Sequence, residues 1–134
     1  ECHLIENQKY LVEETDKLIN QINYSVDYII LDGPVPLGLY YNSHYKPENY
    51  SKELDDFILE KHHEFKTVNI FLERDDSIEY EQAGRFQNEQ EAKAVDSKMM
   101  DTFKKHNLDI HPVKVRKLTE NLSGSHIFDI LNIL

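Results

Sequence analysis

Asp32, Arg74 and Arg85 are the residues of this chain whose types and settings best suit chemistry. Asp32 follows the apolar run Tyr28-Ile29-Ile30-Leu31 and precedes Gly33-Pro34, so its carboxylate stands at the end of an expected buried strand. A carboxylate there can hold a magnesium ion, directly or through water, or take the proton of an attacking hydroxyl. It can equally cap the loop that follows, accepting from backbone N–H groups. Arg74 leaves a second apolar run, Thr67–Leu72, and Arg85 sits beside Gly84 in a polar stretch. Guanidinium forks match phosphate oxygens, and a loop can carry an arginine onto a transferring phosphoryl group. The alternative for both is surface pairing with Asp75, Asp76, Glu79 or Glu81, where little stability is at stake. Lys114 and Arg116 lie in the basic cluster Lys114-Val115-Arg116-Lys117. They can meet a phosphate or an adenine ring, or simply solvate a strand end.

Other chemistries find less support. His62 and His63 are adjacent and so point to different sides of a helix, and His106 and His111 have no further ligand at metal-site spacing. All four read as structural histidines. The one cysteine, Cys2, has no neighbouring base, and no Gly-x-Ser-x-Gly elbow occurs. Neither Gly-x-x-x-x-Gly-Lys-[Ser/Thr] nor Gly-x-Gly-x-x-Gly is present, so these residues alone contain no cradle for a triphosphate. Tyr40, Tyr41 and Tyr45 can stack on a base or pack against the core.

The elements that must position these groups alternate between helix and strand. Leu11, Val12, Leu18, Ile19 and Ile22 recur at helical spacing within 4–23. The spacing predicts a strand over 27–32 and a short helix over 37–41. A helix over 51–64 turns Leu54, Phe57, Ile58 and Phe65 inward, and a strand follows at 67–72. Residues 75–88 form a polar, lid-like excursion. Asn88 then caps a helix with Glu91 as its partner three residues on, and Ala92, Val95, Met99 and Phe103 line the helix's buried stripe. A third strand covers 109–115, with Pro112 best placed at an edge. Ser125 caps a terminal helix bearing Ile127, Ile130, Leu131 and Leu134, which closes the core or forms a dimer seam. Strands separated by helices require crossovers, hence one α/β domain over 1–134 with a parallel sheet flanked by helices. In such sheets ligands sit at the carboxyl ends of the strands, where Asp32 and Arg74 are expected.

Composition narrows the partners. The chain has 134 residues, 15 Lys and Arg against 25 Asp and Glu, and a formal net charge of −10. That balance argues against a general nucleic-acid binder, whose affinity rests on many cationic contacts to phosphates. It leaves room for a small anion held by a few local arginines, or for a basic protein partner. No run is long and apolar enough for a membrane-spanning helix or a signal-peptide core, and the three Asn-x-Ser sequons, at Asn23, Asn49 and Asn121, read as chance. With a single cysteine, the expected setting is the reducing cytoplasm.

Four stretches carry a family likeness. Tyr28-Ile29-Ile30-Leu31-Asp32-Gly33-Pro34-Val35-Pro36-Leu37 and Asn69-Ile70-Phe71-Leu72-Glu73-Arg74 supply two of them. The third is Tyr80-Glu81-Gln82-Ala83-Gly84-Arg85-Phe86-Gln87, followed by the fourth, Glu89, Glu91-Ala92 and Asp96. Over about residues 4–134 the chain resembles the later two thirds of phage-type P-loop ATP-binding proteins, which are related to nucleoside and nucleotide kinases. Gly33 stands where that family usually has serine. The resemblance implies a doubly wound sheet, ATP and magnesium as cofactors, and a viral protein working in its host's cytoplasm. It implies that Asp32 helps hold magnesium or orient the acceptor, while Arg74 and Arg85 clamp phosphates as a lid closes. It also implies a strand, P-loop and helix upstream of Glu1, and that is the expectation for the whole protein. The function expected is transfer of a phosphoryl group from ATP to a nucleoside, nucleotide or similar small acceptor. The alternatives are an ATPase, or a non-catalytic module that binds a nucleotide or a protein partner.

Overall fold

The computed structural model describes residues 7–74, 79–85 and 87–114. Helix α1 (Gln8–Ile22) starts at Asn7, whose side chain accepts from the Tyr10 N–H at 3.1 Å. It buries Val12 and Ile19, while Leu18 and Ile22 of the same apolar stripe stay largely exposed. Helix α2 (Leu37–His44) follows the Pro34–Pro36 turn and carries Leu39, which is wholly buried. A 3-10 turn at Pro47–Asn49 leads to α3 (Lys52–His63), capped by the Ser51 hydroxyl, which accepts from the Leu54 N–H at 3.2 Å. Strand β1 (Asn69–Glu73), helix α4 (Glu89–Lys105) and strand β2 (Ile110–Lys114) complete the described elements.

β1 and β2 pair in parallel, with Phe71 opposite Pro112 and Glu73 opposite Lys114. A parallel pair cannot be joined by a tight turn, and α4 is the crossover that brings the chain back. The expected capping box is present. The Asn88 side chain accepts from Glu91 N–H at 3.0 Å, and the Glu91 carboxylate accepts from Asn88 N–H at 2.8 Å. At its other end α4 closes on Asn107, whose φ of 55° lets the chain reverse toward β2. The architecture is therefore a mixed helix and strand fold, with a small two-stranded parallel sheet flanked by helices.

Val12, Leu39, Ile58, Phe103 and Leu108 form the core, with Phe71, Ile110, Met99 and Met100 packed against it. α2 lies among α1, α3 and α4, and Gly38 is where it approaches most closely. A Cβ at that position would stand 3.0 Å from Ile58 Cδ1 and 3.3 Å from Gln8 Oε1.

A buried polar cluster ties this corner together. Asp55, only 2% exposed, accepts from Asn42 Nδ2 at 2.8 Å and from the Tyr50 hydroxyl at 2.9 Å. His106 Nε2 approaches the same carboxylate at 3.4 Å. Asn42 also donates to the Ser51 carbonyl at 2.7 Å, so one amide links α2 to the start of α3. The hydrogen bond to the Asp55 carboxylate raises the Tyr50 hydroxyl above its ordinary range.

The run 27–32 departs from expectation. It forms no strand, and Tyr28 is 69% and Ile30 95% exposed. β-branched residues favour a strand only where a neighbouring ladder accepts their backbone groups. No described residue pairs with this run. The third expected strand does form, with Pro112 on it, and the helices at 37–41, 51–64 and from Asn88 are present. The helix expected over 4–23 spans Gln8–Ile22, with 4–6 outside the described residues. The expected terminal helix from Ser125 lies outside the described residues, as does part of the 75–88 excursion.

Candidate anion site

Arg74 stands just past the carboxyl end of β1, where the strand hands over to the polar excursion. Its guanidinium makes a two-pronged pair with Asp96 of α4, Nε to Oδ2 at 2.5 Å and Nη2 to Oδ1 at 3.3 Å. The hydrogen bond to Asp96 raises the Arg74 pKa above an already high ordinary value, against some loss of solvation. The group is thus a permanent cation whose plane is held by a carboxylate on the crossover helix.

Residues 79–85 carry no helix or strand and turn back at Gly84, whose φ of 78° suits glycine. The turn is closed by the Arg85 N–H donating to the Gln82 carbonyl at 3.1 Å. The Gln82 amide donates to the Arg85 and Gln87 carbonyls, each at 3.1 Å, and the Tyr80 hydroxyl donates to Gln87 at 2.8 Å. Arg85 is therefore placed by a cross-tied loop that runs straight into the capping box of α4.

Both arginines approach the ring of Tyr80. Arg85 Cζ is 5.1 Å and Arg74 Cζ 5.9 Å from its centroid, both within reach of its electron-rich face. Arg74, Tyr80, Gly84, Arg85, Gln87, Ala92 and Val95 line a cleft of about 280 Å³. Among the described residues no carboxylate lines it. Its volume is at the lower edge of small-molecule sites, roughly 300–1,000 Å³, so it suits a compact group rather than a whole nucleotide. A second cleft, lined by Phe71, Glu73, Arg74, Asp96, Ser97 and Met100, adjoins it with Arg74 as the shared wall. Two arginines in one cleft, with no carboxylate among its described lining residues, can bind an anion.

The other candidates do not join this cleft. Asp32 is exposed, in a bend beside Gly33, whose φ is 87°. Among the described residues no group of three His, Cys, Asp or Glu side chains could hold a metal ion. Magnesium at Asp32 would need most of its ligands from phosphate oxygens and water. Lys114 ends β2 opposite Glu73 and does not line the cleft. Arg116 lies outside the described residues. Tyr40 is taken up by a stack on His44 at 4.9 Å and an edge contact with Tyr41 at 5.5 Å. Neither Glu79 nor Glu81 forms an ion pair with either arginine. Asp75 and Asp76 are not described.

His62 is buried, and loss of solvation, with His63 adding to it, lowers its pKa. Thr67 Oγ1 at 3.3 Å and Asn69 Nδ2 at 3.4 Å face its Nε2, a structural setting. Compared with known protein families, curated proteins and solved structures, the chain finds no match in any of the three.

Proposed function

We propose that this chain supplies the phosphate-clamping part of an ATP-dependent phosphotransferase of the P-loop kinase type, acting on a nucleoside, nucleotide or similar small acceptor. The observation that carries this is the convergence of Arg74 and Arg85 on one ring in one cleft lined by no described carboxylate. Phosphoryl transfer asks little covalent chemistry of a protein. It asks for positioning, and for positive charge where the equatorial oxygens gather negative charge. An arginine fixed at a strand end and a second on a turn before a helix can supply that charge from two sides. In this reading magnesium would accompany the phosphates, held chiefly by phosphate oxygens and water. Asp32, outside the cleft, could hold it only if the bound substrate brought the two together.

The test is calorimetric titration of the 134-residue chain with inorganic pyrophosphate, then with Mg-ATP. Saturable pyrophosphate binding is expected, weakened about 10- to 100-fold in Arg85→Ala. That range follows from losing a charge-assisted hydrogen bond worth about 1.5–3 kcal/mol. The urea midpoint should be unchanged, because Arg85 is exposed. Wild-type protein that ignores pyrophosphate, or an Arg85→Ala variant that binds it equally well, overturns the proposal.

A second reading, a protein-interaction module without turnover, is favoured by one observation. Tyr24 and Ile30 are each 95% exposed, with Val26, Tyr28 and Leu31 between and beside them, and apolar stretches of this kind commonly meet a partner. A complex abolished by Ile30→Asp, in protein that binds no pyrophosphate, would favour it.

A further inference from the structure

The Asp96 carboxylate invites two opposite expectations. As a negative charge beside an anion site it should weaken binding. As the group that holds the Arg74 fork it should strengthen binding. The geometry separates the two. A guanidinium offers two bidentate edges. Asp96 takes the edge made of Nε and Nη2, and the Nη1 hydrogens lie outside that pair. Asp96 lines the second cleft and not the first, whereas Arg74 lines both. The carboxylate thus grips the fork by its Nε and Nη2 edge, and Arg74, but not Asp96, also borders the cleft shared with Tyr80, Gly84 and Arg85. Asp96 is itself 27% exposed at its side chain, and water screens its charge. Held in this way, Arg74 has already lost the rotamer freedom it would otherwise give up on binding.

We propose that Asp96 is a positioning residue for the cleft: it fixes the Arg74 guanidinium so that the Nη1 end, with Arg85 in the same cleft, receives a phosphoryl group. The ligand class is a compact, multiply charged phosphate, such as the terminal or bridging group of a polyphosphate chain. The inference rests on the reading of the cleft as a phosphate site.

Pyrophosphate titrations of wild type, Asp96→Asn and Asp96→Glu test it. Asp96→Asn is expected to bind about tenfold more weakly although it removes a negative charge, and Asp96→Glu, which restores a carboxylate, should recover most of the loss. Equal or tighter binding by Asp96→Asn overturns the proposal and leaves the phosphate site standing. Wild-type protein that binds no pyrophosphate overturns both. A measurement on the wild type alone is independent of how the variants fold. In nitrogen-15 spectra, saturating pyrophosphate should shift the Arg74 Nη signals and leave the Nε–H signal protected by Asp96. Loss of that protection on binding would mean that Asp96 yields the fork to the ligand, which also overturns the proposal.

Discussion

Replacing Gly38 with alanine probes the junction where α2 meets α3, and the sign of the effect can be worked out in advance. The new Cβ would stand 3.0 Å from Ile58 Cδ1 and 3.6 Å from Ile58 Cγ1. The first is closer than an ordinary contact, and so is the 3.3 Å approach to Gln8 Oε1. Ile58 is 0% exposed, so its terminal methyl has no empty space to enter. Overpacking of this kind costs about 1–3 kcal/mol, against a gain of up to about 1 kcal/mol for alanine over glycine in a helix. The expected net effect is a loss of about 1 kcal/mol. Ile58→Val removes the offending methyl, at a cost of about 0.5–1.5 kcal/mol on its own. In that background Gly38→Ala should cost clearly less, with the approach to Gln8 Oε1 left as the remaining crowding. Urea unfolding of the four proteins, with slopes checked for constancy, gives the coupling. If Gly38→Ala costs the same in both backgrounds to within about 0.5 kcal/mol, the close approach is not what requires glycine there.

Two further outcomes are expected of the described residues. Asp55→Ala leaves Asn42, Tyr50 and His106 without their shared acceptor and should cost about 3 kcal/mol in urea unfolding. Tyr50→Phe should cost only about 1 kcal/mol, since Asp55 keeps Asn42 and His106 as partners. Equal losses would show that Asp55 does not organise the cluster. His62, its pKa lowered by burial, binds its proton more readily in the unfolded chain. Its contribution to stability is therefore complete above the unfolded value of about 6.5 and is lost as pH falls from there through the folded value. Urea midpoints at pH 7.5 and 5.5 should fall less for His62→Gln than for wild type. Parallel falls would remove burial of the neutral ring as the cause.

Local signals were the ones legible in the sequence. Asn88 caps its helix as expected because a cap needs only a side chain and an N–H three residues away. The apolar stripe of α4 was likewise readable, with Ala92 and Phe103 buried as its spacing required. The run 27–32 was misread because strand preference describes half of a ladder, and the other half is not in the residues themselves. Asp55 was missed because an acid in the first turn of a helix reads as a solvated, dipole-matched group. Its partners Asn42 and His106 come from two other helices. Within the cleft, Arg74 and Arg85 were chosen from their places beside a strand end and a glycine turn. Tyr80 and Asp96 entered only within the family likeness, and their roles beside the two arginines arise only when α4 packs beside β1.

The parallel pairing of β1 and β2 also bears on the order in which the molecule assembles. Asn69 meets the Asp109 carbonyl across 40 positions of chain, and Arg74 meets Asp96 across 22. The Asn42 contacts to Ser51 and Asp55 span only 9 and 13. Closing the longer loops costs more entropy before any contact repays it. α2 and the start of α3 are therefore expected to consolidate first, with α4 and the sheet closing afterwards. Substitutions around Leu39 and Ile58 then slow folding, whereas those in the sheet mainly hasten unfolding. The cleft between Arg74 and Arg85 belongs to the late half. It is among the last features the chain completes and the first it gives up, so an anion bound there acts as a latch on the final step of folding.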